Sequence, residues 1–132
     1  MSLHFMHGLD WRLMVPQVAA ALSVASECFG EEGEDCLVSC LTRHIKGRSY
    51  TAEEDFAANG FHSTGRAFDL SVNRVRGSEP IPEEKLDRIL VKLEVRLGRS
   101  DGGPFDVLDE RHPRPDSPGW TGPHFHLEFQ PQ

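Results

Sequence analysis

Four side chains of this sequence have the donor chemistry of a first-row metal site: His62, Asp69, His124 and His126. Zinc takes imidazole and carboxylate ligands, and a catalytic zinc uses three of them and keeps a position for water. The set supplies three ligands and one spare imidazole. His62 and Asp69 fall in the phrase His62-Ser63-Thr64-Gly65-Arg66-Ala67-Phe68-Asp69-Leu70, where Gly65 and Ala67 clear space between them. His124 and His126 fall in the run Pro123-His124-Phe125-His126-Leu127-Glu128-Phe129. A strand sends successive side chains to opposite faces. Such a strand carries His124, His126 and Glu128 on one face and sets Phe125, Leu127 and Phe129 against a core. Asp69 belongs to a similar run, with Phe68, Leu70 and Val72 on the apolar face and small Ala67 and Ser71 beside the carboxylate. An H-x-H pair taken singly is more often a surface or core pair than a ligand pair. The conjunction of the two phrases is what points to a zinc site.

The pattern H-x-x-G-x-A-x-D, followed downstream by H-x-H, resembles a family of metallopeptidases. That family groups zinc D-Ala-D-Ala carboxypeptidases, phage L-alanyl-D-glutamate endolysins and the zinc domain of hedgehog proteins. The resemblance runs from about Pro16 to Phe129 and implies zinc on His62, Asp69 and His126, with His124 beside the metal as a non-ligand. Phe105-Asp106-Val107-Leu108-Asp109-Glu110 matches the phrase F-D-V-x-x-E that precedes the H-x-H in many members, which implies Glu110 as the general base. The resemblance also implies a peptide bond in bacterial peptidoglycan as the substrate. Two features depart from the pattern: Gly60 stands where relatives often have Ser, and Arg111 to Pro123 separate Glu110 from the H-x-H. That insert holds four prolines and two glycines and must be a loop. Asp109 and Glu128 are alternatives to Glu110, and Glu128 is also placed to orient a ligand imidazole.

The chemistry expected of this set is hydrolysis. Zinc acidifies water, Glu110 takes up its proton and passes it to the leaving amine, and His124 stabilises the oxyanion. A substrate carboxylate calls for a cation. Arg43 is the candidate, with Arg48 and Arg66 behind it, and a solvated surface arginine is the plain reading of each. Trp120, within the insert, serves as a lid or stacking wall or else as an anchor that packs on the sheet.

The elements that position these groups follow from periodicity. Val15, Val18, Leu22, Ala25 and Phe29 recur at helical spacing, opened by Pro16 and stopped at Gly30. Pro82 to Leu97 reads as a second helix with Leu86, Leu90, Leu93 and Leu97 on its core face, opened by Glu83 and Glu84 and closed by Gly98. Strands are expected at Cys36 to Thr42, Arg66 to Val72, Pro104 to Glu110 and Pro123 to Phe129, with a long polar loop from Arg43 to Gly60. Helices and hairpins without regular alternation argue an α+β fold: a small, mainly antiparallel sheet with helices packed on one side, hedgehog- or D-Ala-D-Ala-peptidase-like by the resemblance.

The 132 residues fit one zinc metallopeptidase-like domain, 1–132. A net charge of −7 disfavours nucleic acid, and no stretch approaches a membrane span. Cys28, Cys36 and Cys40 are expected to be reduced and buried, the sharper reading being a metal on Cys36, Cys40 and His44. Reduced thiols imply synthesis in the cytoplasm. The lack of a convincing signal peptide, taken with the cell-wall substrate that the resemblance implies, favours a phage lysis protein or a virion part. The partners are then a peptidoglycan peptide and, for a virion part, phage virion proteins. A different class of function keeps every ligand: a zinc-binding, non-catalytic hedgehog-like structural or binding module. Cupin and carbonic anhydrase readings of the H-x-H leave the His62 to Asp69 phrase unexplained, and the non-haem iron triad typically draws its His and carboxylate from a tighter H-x-D/E step.

Overall fold

Pro16 sets the first turn of a helix whose apolar residues then fall on one stripe, and Ala67 to Ser71 alternates as a strand. The computed structural model builds the rest around these two. It describes residues 2–6, 14–41, 44–45, 48–49, 65–74, 79–112 and 123–130, with the backbone alone at 44–45 and 48–49. The elements run β1 (Leu3–Phe5), α1 (Pro16–Gly30), β2 (Cys36–Cys40), β3 (His44–Ile45), β4 (Arg48–Ser49), β5 (Ala67–Ser71), α2 (Glu83–Leu97), a 3-10 turn (Arg99–Asp101), β6 (Phe105–Glu110) and β7 (His124–Phe129). A five-stranded sheet is ordered β1-β2-β5-β7-β6, antiparallel except where β1 pairs with β2, and β3 and β4 form a separate two-stranded ribbon. This is the expected α+β fold.

The helices and one face of the sheet share a single core. Val18, Ala21, Leu22, Ala25, Cys28 and Phe29 of α1 and Leu86, Ile89, Leu93 and Leu97 of α2 pack with Val38, Phe68, Leu70, Phe105, Phe125 and Leu127 of the sheet. Leu90, expected on the core stripe of α2, is only partly buried, and Ile89 takes the fully buried position. Full burial of a Phe or Leu side chain stabilises by about 1.5–3 kcal/mol, so Phe125 and Leu127 hold β7 down firmly. No described helix is long and apolar enough to cross a membrane.

Two expectations are corrected. The stretch Arg43 to Gly60 is not all loop, since β3 and β4 pair within it; two-residue strands are too short to show an alternating pattern. β1 was not expected at all, because Leu3-His4-Phe5 is too short to carry a period and is identified by its pairing with Cys36 to Val38. Gly98 closes α2 as expected, at an ordinary negative φ. Its need for glycine is steric, since a Cβ there would fall 2.5 Å from the Glu94 carbonyl oxygen.

Ion pairs join the helices along their solvent edge. Arg96 grips Glu31, Arg88 and Lys92 grip Glu32, and Arg74 and Lys85 grip the buried Glu34 at 2.9 and 2.8 Å. Hydrogen bonds from Arg96 hold Glu31 down at about 2 against a usual 4.5. Lys92 and Arg88 lower Glu32, and the Arg74 hydrogen bond lowers Glu34 against the opposing effect of burial. A carboxylate depressed on folding adds stability that is complete above its unfolded pKa and is lost as pH falls through the folded one. Acid titration is therefore expected to remove this contribution between pH 4.5 and about 2. Circular dichroism across that range should show a shallower acid loss in the Glu31→Gln, Glu32→Gln, Glu34→Gln triple variant. An acid limb of unchanged depth would count against the ion-pair belt.

Candidate metal centre

The face of the sheet turned away from the helices carries the polar residues of three strands in register. In β5 these are Ala67, Asp69 and Ser71, and β7 pairs with them as Glu128, His126 and His124. In β6 the residues opposite Glu128, His126 and His124 are Asp106, Leu108 and Glu110. Asp69 thus stands directly across from His126, and Glu110 directly across from His124. Alternation within each strand does the sorting: Phe68 and Leu70, Phe125 and Leu127 go to the core, and their neighbours go to the site.

The resulting cluster is buried, with Asp69 3% exposed and His124 and His126 7% each. His126 Nδ1 lies 2.7 Å from Asp69 Oδ1, and its Nε2 lies 2.8 Å from Glu128 Oε1. His124 Nε2 lies 3.0 Å from Glu110 Oε2 and 3.8 Å from Asp69 Oδ2. The two imidazoles stand edge to face, 6.4 Å between centroids. Burial works against charging His126, but its hydrogen bonds to Asp69 and Glu128 and their negative charges outweigh it and push the imidazole up to about 9. Three carboxylates thus surround two imidazoles in a largely dry place, an arrangement that attracts positive charge.

Asp69, His124 and His126 each offer a ligand atom, and these atoms all lie within 4.8 Å of one another. Ligands bound at about 2.0–2.2 Å to a tetrahedral ion sit about 3.4 Å apart, so modest side-chain adjustments bring the three atoms to ligating distance. The donor set of two nitrogens and one oxygen fits a divalent first-row ion. The group could therefore bind a metal ion.

Of the residues singled out in the sequence, Asp69, Glu110, His124 and His126 come together at this one place. The third ligand gathered among the described residues is His124, whereas the resemblance implied His62. His62, Arg43 and Trp120 lie outside the described residues, and Arg48 is described only in its backbone. Arg66 directly precedes β5, and its carbonyl accepts the Phe129 N–H at 2.7 Å. Asp109, an alternative to Glu110, points the other way. Arg111 binds it at 2.7 and 2.8 Å on the helix side and lowers its pKa, so it is remote from the histidines.

Cys28 and Cys36 are buried as expected, and Cys40 is only half-buried. The Cys36 side chain sits in the core, where burial pushes the thiol up to about 12, and the side chain of His44, its partner in the sharper reading, lies outside the described residues.

Arg111 is the residue that sequence reasoning passed over. Its guanidinium, nearly buried, joins Asp109 of β6 to Glu83 and Asp87 of α2 and lies 5.5 Å from the centre of the Phe125 ring. Phe125 sits between the two histidines in β7, so Arg111 braces the strand ends bearing Glu110 and His124 from behind. Nothing in the local spacing around Arg111 signals partners that lie 24 and 28 residues away.

Comparisons with models of known protein families, with curated proteins and with solved structures find no match to this chain.

Removing a ligand of a buried site should remove its ion. Purified Asp69→Ala and His126→Ala are expected to retain less than a tenth of the metal found in the unaltered protein by elemental analysis, roughly the effect of losing one of three protein ligands. Stoichiometric metal in both variants would place the ion elsewhere.

Proposed function

We propose that this chain is a zinc-dependent peptidase that cleaves a peptide bond in bacterial peptidoglycan, in the endolysin or carboxypeptidase manner. The observation that carries the reading is the convergence of Asp69, His126, His124 and Glu110 on one buried patch of sheet. These four belong to the set singled out by the two sequence phrases and by F-D-V-x-x-E, of which His62 lies outside the described residues. The substrate class rests on the resemblance to the D-Ala-D-Ala carboxypeptidase and endolysin family. In this reading zinc is held by Asp69 and His126 with His62, and His124 stands beside them.

Zinc, when bound, supplies Lewis acidity and makes water ionisable near neutral pH. The residues of the chain do the rest. Glu110 accepts a proton from the attacking water as its oxygen bonds to the scissile carbonyl carbon. It returns that proton to the amide nitrogen as the carbon–nitrogen bond breaks. His124, 3.0 Å from Glu110, is oriented by that carboxylate and can donate a hydrogen bond to the carbonyl oxygen as negative charge develops there. The apolar residues beneath the patch keep these groups at fixed positions, which limits the reorganisation needed during reaction.

Digestion of purified peptidoglycan, followed by mass spectrometry of the fragments with and without a chelator, tests the reading directly. New amino and carboxyl termini that vanish on chelation and return with Zn²⁺ are expected. Glu110→Gln should keep its zinc and its fold while turnover falls by about a hundredfold or more. Zinc-loaded protein that cuts no peptidoglycan peptide would instead favour a non-catalytic zinc-binding module.

A further inference from the structure

Both ring nitrogens of His126 are engaged by carboxylates: Nδ1 by Asp69 at 2.7 Å and Nε2 by Glu128 at 2.8 Å. Glu128 is held in turn, since its second oxygen accepts a hydrogen bond from Gln130 Nε2 at 3.2 Å. The strand explains how the carboxylate reaches the ring. Residues two apart in β7 share a face, and the residue paired with Glu128 on β5 is Ala67. A methyl group there leaves room for the Glu128 side chain to lie along the strand toward His126.

We infer that Glu128 assigns separate tasks to the two nitrogens of His126: it binds the Nε2 proton and so leaves Nδ1 as the atom that ligates the metal. Asp69, the other ligand among the described residues, lies on the Nδ1 side. Asp69 meets Nδ1 through Oδ1, and its second oxygen, Oδ2, lies 3.8 Å from His124 Nε2. A carboxylate on the far nitrogen of a ligand imidazole fixes its tautomer and ring orientation and makes it a better donor. Glu128 is therefore a positioning residue that acts through His126. The inference rests on the metal centre of the proposed function and is independent of peptide cleavage.

The test uses the full chain loaded with one equivalent of Zn²⁺. Long-range proton–nitrogen correlation spectra of the histidines should show the metal on Nδ1 of His126 and the proton on Nε2. In chelator competition, Glu128→Ala should bind Zn²⁺ about 10–100-fold more weakly. Glu128→Gln, whose amide oxygen still accepts the Nε2 proton, should recover part of that loss. A purely structural role for Glu128 would lower the melting temperature without changing the ligating nitrogen or the order of these affinities. Zinc on Nε2 of His126 in the unaltered protein overturns the inference, as does equal Zn²⁺ affinity in the unaltered protein and Glu128→Ala. If Glu128→Ala does not fold, the nitrogen assignment in the unaltered protein decides by itself. Protein with zinc on Nδ1 that leaves peptidoglycan intact would support this inference and overturn the peptidase reading alone.

Discussion

The register of β5 against β7 is the constraint on which the rest of this molecule depends. With Asp69 opposite His126, every alternate residue of the two strands is sorted between an apolar core and a polar patch. A slip of one residue would turn His124 and His126 into the helices and expose Phe125 and Leu127. Such a slip would lose the burial of both apolar side chains, each contributing about 1.5–3 kcal/mol, and would leave charged groups in a dry core. The hydrophobic effect thereby fixes the geometry of the polar site, although no apolar side chain supplies a ligand atom.

Asp69, Glu110 and Glu128 bring three negative charges to a buried place, and the neighbouring imidazoles offset them only when protonated. Desolvation of such groups is costly unless they are paired. The raised pKa of His126 shows how the cluster responds, by holding a proton to a higher pH than a free imidazole would. A divalent ion between the same groups would neutralise them more completely than a proton does, and its binding would then be coupled to the stability of the fold.

Support for this arrangement comes from the opposite face. Arg111 lies over the Phe125 ring and binds Glu83, Asp87 and Asp109, so the end of β6, the start of β7 and the start of α2 are tied to one guanidinium. Arg suits the place because its planar head donates in several directions and lies flat on an aromatic ring. Farther along, Glu31, Glu32 and Glu34 tie the end of α1 and the turn after it to α2 and to Arg74. These links keep the two helices seated as a layer behind the sheet, and the sheet in turn presents the site.

Much of this was legible in the residues alone. The alternation in His124 to Phe129 and in Ala67 to Val72 placed the polar and apolar faces correctly, and the leucine stripe of α2 and the Pro16 to Gly30 helix follow from periods of 3.6. Those features are local, set by the geometry of a strand or helix, and a sequence reports them directly. What the tertiary structure decided is partnership. That Glu110 meets His124 across a Pro- and Gly-rich insert depends on β6 and β7 pairing in one register. That Asp109 points away to Arg111, and that Glu128 rather than solvent takes His126 Nε2, depend on what stands opposite each position. The short strand β1 was likewise invisible until β2 paired with it. Side-chain periodicity is a property of the neighbouring few residues, whereas hydrogen-bond partners belong to segments brought together only when the apolar faces are buried.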